Sequence, residues 1–319
     1  MATATSDDRV LPLHHPLPVA HSTTPPIQIL LSFDVEEHDR IEAASQLRFD
    51  PALRACYAAR MARSMFWLLE QLEREAIQCT FFVVGEIART DAGLVRAIHR
   101  AGHEVASHGW SHRRVHTMSR EEFREDVKRS KQALEDVTGD AVVGYRAPTF
   151  SITRDTAWAL DVLVESGMRY DSSIFPVRHD RYGVPRAPRS PFMARGERTT
   201  ILEFPPATLR LPTFNLPVGG GGYFRLLPLA ALELACRQLR RTDRPSLATI
   251  YFHPWEFDPG QPRLALRGLN RFRTYVGIDR SRERLMTFLA RHHFVRTIDA
   301  AAQLESQAAG LPNFSPAHD

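Results

Sequence analysis

The sequence predicts an α/β protein built on a parallel sheet, closed into a barrel rather than left open. Three observations predict it. Strand-like and helix-like segments alternate from residue 27 onward, and parallel neighbours need a crossover between them. About six or seven such units in about 275 residues favour a barrel over an open sheet. Finally, the unusual polar residues fall where strand-like runs end, the edge at which α/β sheets collect functional groups.

The elements follow in order. IQILLSFDV (27–35) is apolar and β-prone, and acidic residues end it. Residues 55–74 carry apolar residues at helical spacing. CTFFVVG is a second strand, and DAGLVRAIHRAG a short helix closed by Gly102. HEVASH is a strand that runs into a histidine cluster. Ser119 and Glu122 form a capping box, and Phe123, Val127, Leu134 and Val137 keep one face apolar as far as Gly139. AVVGYRAP reads as a strand, TRDTAWALDVLVESG as a helix stopped at Gly167, and MRYDSSIF as a strand. After an irregular stretch, LLPLAALELACRQLR is helical and SLATIYFH a strand; RERLMTFLARHHF is the last helix before VRTID.

With 319 residues, the chain can bury a substantial core. Its 43% apolar and 24% charged residues are those of a folded soluble protein. The basic excess, 41 against 37, is too small to argue for nucleic acid, though it suits an anionic substrate or a membrane surface. Cys56, Cys79 and Cys236 are widely spaced and odd in number, which points away from a disulfide framework. No apolar run approaches the roughly 20 residues needed to span a bilayer. Residues 1–26 lack a basic start and an unbroken apolar stretch, so they read as a disordered leader rather than a secretory signal. The expected location is therefore the cytoplasm, with room for association at a membrane.

Within HEVASHGWSHRRVH lie His103, His108, His112 and His116, and the pairs 108/112 and 112/116 each stand four apart. Such a pair is a common half-site for zinc, in a helix or a tight loop, yet histidines often simply fill loops. Spacing does not choose between the pairs, although Ala106, Ser107, Gly109 and Ser111 favour the first by permitting a tight turn. In DVEEH, Asp34 and Glu36 share one face if the strand geometry persists; an acidic helix N-terminus explains the same residues. Arg146, after VVGY, can orient a carboxylate by bidentate bonds, or be an ordinary surface arginine. His253 ends TIYF, where a capped strand end beside a buried Trp255 is the plainer reading. Residues 176–200 hold six arginines, either a solvated insertion or a loop facing an anionic sugar or phosphate. GGGGYFR (219–225) is either a flexible turn or a place where backbone approaches a bulky ligand.

In this order, FDVEEH, SHGWSH, YRAP and YFHPW resemble the motifs of the polysaccharide deacetylases, the NodB-homology family of carbohydrate esterase type, over residues 28–298. FDVEEH, GYRAPTFSIT, YDSSIFP, HDRYGVP, GGGGYFR and HPWEFDP further resemble the branch encoded with bacterial exosortase and exopolysaccharide systems. The resemblance implies a distorted (β/α) barrel of about seven parallel strands, a domain over residues 27–300 and a flexible tail over 301–319. It also implies that His108 and His112 are metal ligands, leaving structural roles to His103 and His116. Most members carry adjacent aspartates, a base and then a ligand. Here Val35 fills the second place and Glu36 is the natural substitute. Asp171 in YDSS corresponds to the family's supporting aspartate, without its usual neighbouring tryptophan.

What the resemblance implies for chemistry is hydrolysis of N-acetyl groups on amino sugars of an exopolysaccharide or a lipid-linked precursor. Zinc would sit on Glu36, His108 and His112, with Asp34 as base, Arg146 holding it, and His253 as the acid for the departing amine. Thr149, through its backbone N–H, and Tyr223, Trp255 and Arg181 are the expected substrate contacts. Two rivals remain: hydrolysis of another non-peptide C–N bond, such as a ureide or cyclic amide, and an inactive carbohydrate-binding homologue.

Overall fold

The computed structural model describes residues 27–242 and 245–318; the leader expected over residues 1–26 lies outside them. The strands are β1 (Gln28–Val35), β2 (Thr80–Val83), β3 (Glu104–Ser107), β4 (Gly144–Tyr145), β5 (Tyr170–Asp171), β6 (Phe192–Arg195), β7 (Thr200–Glu203), β8 (Thr208–Arg210), β9 (Asn215–Pro217), β10 (Leu247–Phe252), β11 (His293–Val295) and β12 (Asn313–Phe314). The helices are α1 (Pro51–Arg74), α2 (Gly85–Thr90), α3 (Ala92–Arg100), α4 (Arg120–Thr138), α5 (Ala159–Glu165), α6 (Gly221–Leu226), α7 (Leu229–Thr242), α8 (Gly268–Tyr275), α9 (Ser281–Leu289) and α10 (Thr297–Glu305).

Strand β1 is central, and all of it after Gln28 is buried, as a strand covered on both faces must be. It pairs with β10 along one edge. Its other edge is shared, β11 taking Gln28–Leu30 and β2 taking Ser32–Val35. The sheet then runs β10-β1-β2-β3-β4-β5-β7-β6-β12, every pair parallel except β6–β7. It curls with helices outside it, and its end strands β10 and β12 do not pair. The expected distorted barrel is thus an incompletely closed one, a half-barrel.

Local chemistry explains the crossovers. Asp50 caps α1 by accepting from the Leu53 N–H at 2.7 Å, with Pro51 in the first turn. Met65, Leu68 and Leu72 of α1 are fully buried in one core cluster with Phe33 and Phe81, whose rings stack at 5.1 Å. The Ser119–Glu122 capping box opens α4, and Gly139 closes it in the left-handed conformation at φ 79°.

Some boundaries differ from the expectation. Pro228 separates α6 from α7, so LLPLAALELACRQLR is not one helix. His293 and Phe294, expected at the end of the last helix, belong to β11 because the edge of β1 offers them a ladder. The irregular stretch contains β6 and β7. The expected flexible tail is corrected over 301–318: α10 extends to Glu305, β12 pairs with β6, and Phe314 packs edge-on against Phe192 at 5.8 Å. No described helix is long and apolar enough to cross a membrane.

Candidate active site

Parallel strands carry their C-terminal ends to one edge, and the chemistry-bearing residues gather there. Asp34 and Glu36 emerge from β1 on the same face, each 2% exposed, while Val35 between them points into the core. His108 follows β3, and its Nδ1–H donates to the Arg146 carbonyl at 2.8 Å. A carbonyl only accepts, so this bond leaves the His108 Nε2 lone pair available.

The turn from Gly109 to His112 brings the second imidazole back. Gly109 (φ 72°) and His112 (φ 62°) are both left-handed. Asp126 of α4 accepts from the Trp110 N–H at 2.7 Å, and the N–H groups of Gly85 and Glu86 donate to the carbonyls of Gly109 and Trp110. Pinned in this way, the His108 and His112 rings lie 5.1 Å apart. One ligand atom from each of Glu36, His108 and His112 lies within 4.8 Å of the other two. Geometry therefore selects the 108/112 pair. His116 is exposed on a separate turn, and the Nδ1 of buried His103 accepts from the Cys79 N–H at the far end of β3.

This trio fits a divalent ion. Glu36 Oε2 is buried against His112 Nε2 at 2.5 Å and pairs with no other donor among the described residues, so the carboxylate and the imidazole can share a cation. Burial alone would raise the Glu36 pKa, but His112, His253 and His108 outweigh it and hold it at about 2. Burial holds His108 at about 4, against the pull of Asp34 and Glu36. An ionised carboxylate and a neutral imidazole are the forms that bind metal.

Around the trio stand the other expected residues. Arg146, fully buried, donates from Nη1 to Asp34 Oδ1 at 2.6 Å and to Ser32 Oγ at 2.9 Å. Its Nε and Nη2 go to the Ser172 carbonyl and hydroxyl. The expected bidentate grip on a carboxylate is therefore one hydrogen bond, because the remaining donors tie β1 to the segment after β5. His253 Nε2 sits 3.6 Å from Glu36 Oε1 and 4.0 Å from Asp34 Oδ2. Its Nδ1–H donates to Glu256 at 2.8 Å. Burial would lower the His253 pKa, but Glu256, Glu36 and Asp34 raise it to about 9.

One expectation needs correcting. Asp171 does not reach the cavity or His253: it is fully buried beside its register partner Glu203, accepting from the Ser173 hydroxyl. Burial pushes both carboxyls up, Asp171 to about 6 and Glu203 well above its ordinary value, so the pair retains a proton. Glu256 takes the supporting position instead, and Arg225 holds its other oxygen at 2.7 Å. Trp255 lines the cavity, with His38 stacked on its ring system at 4.8 Å and His253 at 5.2 Å. These contacts orient the His253 ring.

The cavity beside these groups measures about 430 Å³. Thr149, Tyr223 and Arg181 line it as expected, joined by Tyr182 and His179. Thr149 stands at φ 58°, a costly conformation for a β-branched residue. Arg181 donates to the Asn270 side chain at 2.7 Å, tying the arginine-rich loop to α8. Sequence reasoning missed Glu256 and Arg225. The signal was a glutamate three residues after His253, in HPWEF, and the arginine that closes GGGGYFR. Two of those glycines make room for protein: a Cβ on Gly221 would lie 1.9 Å from Glu256 Oε1, and one on Gly220 2.5 Å from the Tyr251 hydroxyl.

Comparison with known proteins adds independent support. Residues 58–170 match the polysaccharide deacetylase family, and residues 172–302 match a domain of unknown function designated DUF3473. A peptidoglycan deacetylase of Helicobacter pylori is 30% identical over 107 residues, which are 34% of this chain and 36% of that protein. The alignment thus spans about a third of that relative. A polysaccharide deacetylase homologue from Mycobacterium smegmatis superposes with a TM-score of 0.58 at 22% identity, covering 93% of this chain and 95% of the other. An allantoinase superposes at 0.59 with 16% identity, covering 89% and 95%. Both structures share the fold.

The Gly221 contact yields a direct test. Gly221→Ala should lower the unfolding free energy in urea by about 1–3 kcal/mol. Gly222→Ala, whose Cβ would meet nothing nearer than 3.9 Å, should cost nothing measurable.

Proposed function

Because this chain carries a polysaccharide deacetylase domain of the NodB-homology type, we propose that it hydrolyses N-acetyl groups on amino sugars of an exopolysaccharide or its lipid-linked precursor, releasing acetate. The observation that carries the reading is the convergence of Glu36, His108 and His112 directly beside Asp34 and His253. The choice of exopolysaccharide rests on the likeness of GYRAPTFSIT, HDRYGVP and HPWEFDP to the exosortase-associated branch. Action in the cytoplasm, on material not yet exported, belongs to the same proposal.

Glu36, His108 and His112 would hold a divalent ion, zinc by the match of a His-His-Glu donor set, which polarises the acetyl carbonyl and lowers the pKa of water to about 7. Asp34 accepts the proton of the attacking water, and its hydrogen bond from Arg146 keeps the carboxylate aimed at the cavity. The Thr149 N–H, on a strained turn at the cavity wall, is the donor assigned to the developing oxyanion in this reading. His253 carries the proton for the departing amine on Nε2, while Glu256 and Trp255 fix its ring. Tyr223 and Arg181 contact the sugar.

Two measurements test this. Acetate release from N-acetylated oligosaccharides should vanish with chelator, return with zinc, and be lost in His108→Ala. Activity indifferent to metal, or ring opening of allantoin in place of acetate release, would contradict the proposal. Asp34→Asn should retain zinc in calorimetry while turnover falls roughly 10²–10⁴-fold. Loss of zinc in that variant would make Asp34 a ligand.

A further inference from the structure

Six large apolar side chains are markedly exposed among the described residues: Phe66, Phe214, Leu226, Leu234, Leu269 and Phe272. Three of the six, Leu226, Leu269 and Phe272, line the catalytic cavity, where they are 48%, 58% and 52% exposed. Leu269 and Phe272 stand three apart on α8 and so share a stripe. The surrounding segment, RLALRGLNRFRTY (263–275), contains Arg263, Arg267, Arg271 and Arg273, all exposed, and no acidic residue. Arg263 lies over the Tyr275 ring and Arg273 stands 3.8 Å from Asp180, but Arg267 and Arg271 form no ion pair among the described residues.

The opposite side of α8 is firmly held. Asn270 accepts from Arg181, the Tyr275 hydroxyl accepts from the Leu264 N–H at 2.7 Å, and Arg225 donates to the carbonyls of Thr274 and Val276. A short helix held through Asn270, Thr274 and Tyr275 thus leaves leucine and phenylalanine exposed, in a segment that also exposes four arginines. An interfacial layer takes both chemistries, apolar side chains and arginines, together.

We propose that α8 and the adjoining end of α6 dock on an anionic lipid bilayer, so that the cavity opens at the membrane surface. Arginines meet the anionic headgroups, and Leu269, Phe272 and Leu226 enter the boundary with the acyl chains. This deepens the deacetylase reading by giving the site a substrate delivered from a membrane, but the test reads binding without turnover, so the two stand or fall separately.

The test is co-sedimentation of the full chain with phosphatidylcholine vesicles, with and without phosphatidylglycerol, at low and high salt. Binding should require phosphatidylglycerol and weaken with salt. Each arginine at an anionic surface multiplies affinity roughly fivefold, so Arg267→Glu with Arg271→Glu should weaken binding at least roughly 25-fold. Leu269→Gln with Phe272→Gln should weaken it roughly tenfold. Circular dichroism and melting temperature establish that each variant is folded, and the lipid and salt dependence of the unmodified chain needs no variant. Failure to bind phosphatidylglycerol vesicles, equal binding to phosphatidylcholine alone, or unchanged binding by both folded variants would overturn the proposal. Equally tight binding to soluble polygalacturonate would also overturn it, assigning the face to an anionic polymer.

Discussion

The buried guanidinium of Arg146 is the constraint around which the site is assembled. A charge without solvent must be paired, and breaking such a pair costs about 3–5 kcal/mol. Arg146 is satisfied by Asp34 and Ser32 on β1 and by Ser172 just past β5, with its guanidinium 4.0 Å from the Phe82 ring centre on β2. Its own carbonyl accepts the hydrogen bond from the His108 Nδ1–H. One residue therefore places the carboxylate proposed as base and orients one imidazole of the proposed metal trio, coupling four strand ends.

Backbone strain collects at the same edge. Among the described residues, four other than glycine have clearly positive φ, and three of them, His112, Thr149 and Phe150, border the cavity. Each such conformation costs on the order of 1–3 kcal/mol and persists only where surroundings enforce it. Around His112, enforcement comes from Asp126 and the first residues of α2. Around Thr149 it comes from Pro148 and from Ser151, whose hydroxyl donates to the Pro148 carbonyl. These strained turns bring His112, Thr149 and Phe150 to the wall of one cavity.

Much of this was legible in the chain. Alternation along β1 put Asp34 and Glu36 on one face without knowledge of any fold, and Ser119 with Gly139 bounded α4. The histidine pair was not decidable from spacing, because what selects it is a loop pinned by a residue on another helix. Asp171 misled for a related reason: a strand end says where a residue sits, not whether it faces the cavity or a neighbouring strand. Glu256 went unread because its role depends on Gly221 lacking a Cβ some 35 residues away in sequence. The C-terminal residues look polar and aperiodic, yet a parallel edge on β6 gives Asn313 and Phe314 partners. Local patterns carry elements and faces; long-range contacts decide which polar groups meet.

The central claim is that Glu36, with His108 and His112, grips one divalent ion in place of the usual aspartate. X-ray absorption at the zinc edge, on the zinc-loaded protein and on Glu36→Gln, tests it most directly. The account predicts two imidazoles and one carboxylate around the metal, with the carboxylate signal and most of the affinity gone in the variant. An unchanged coordination shell in Glu36→Gln, or no bound zinc in the unmodified protein, would contradict it.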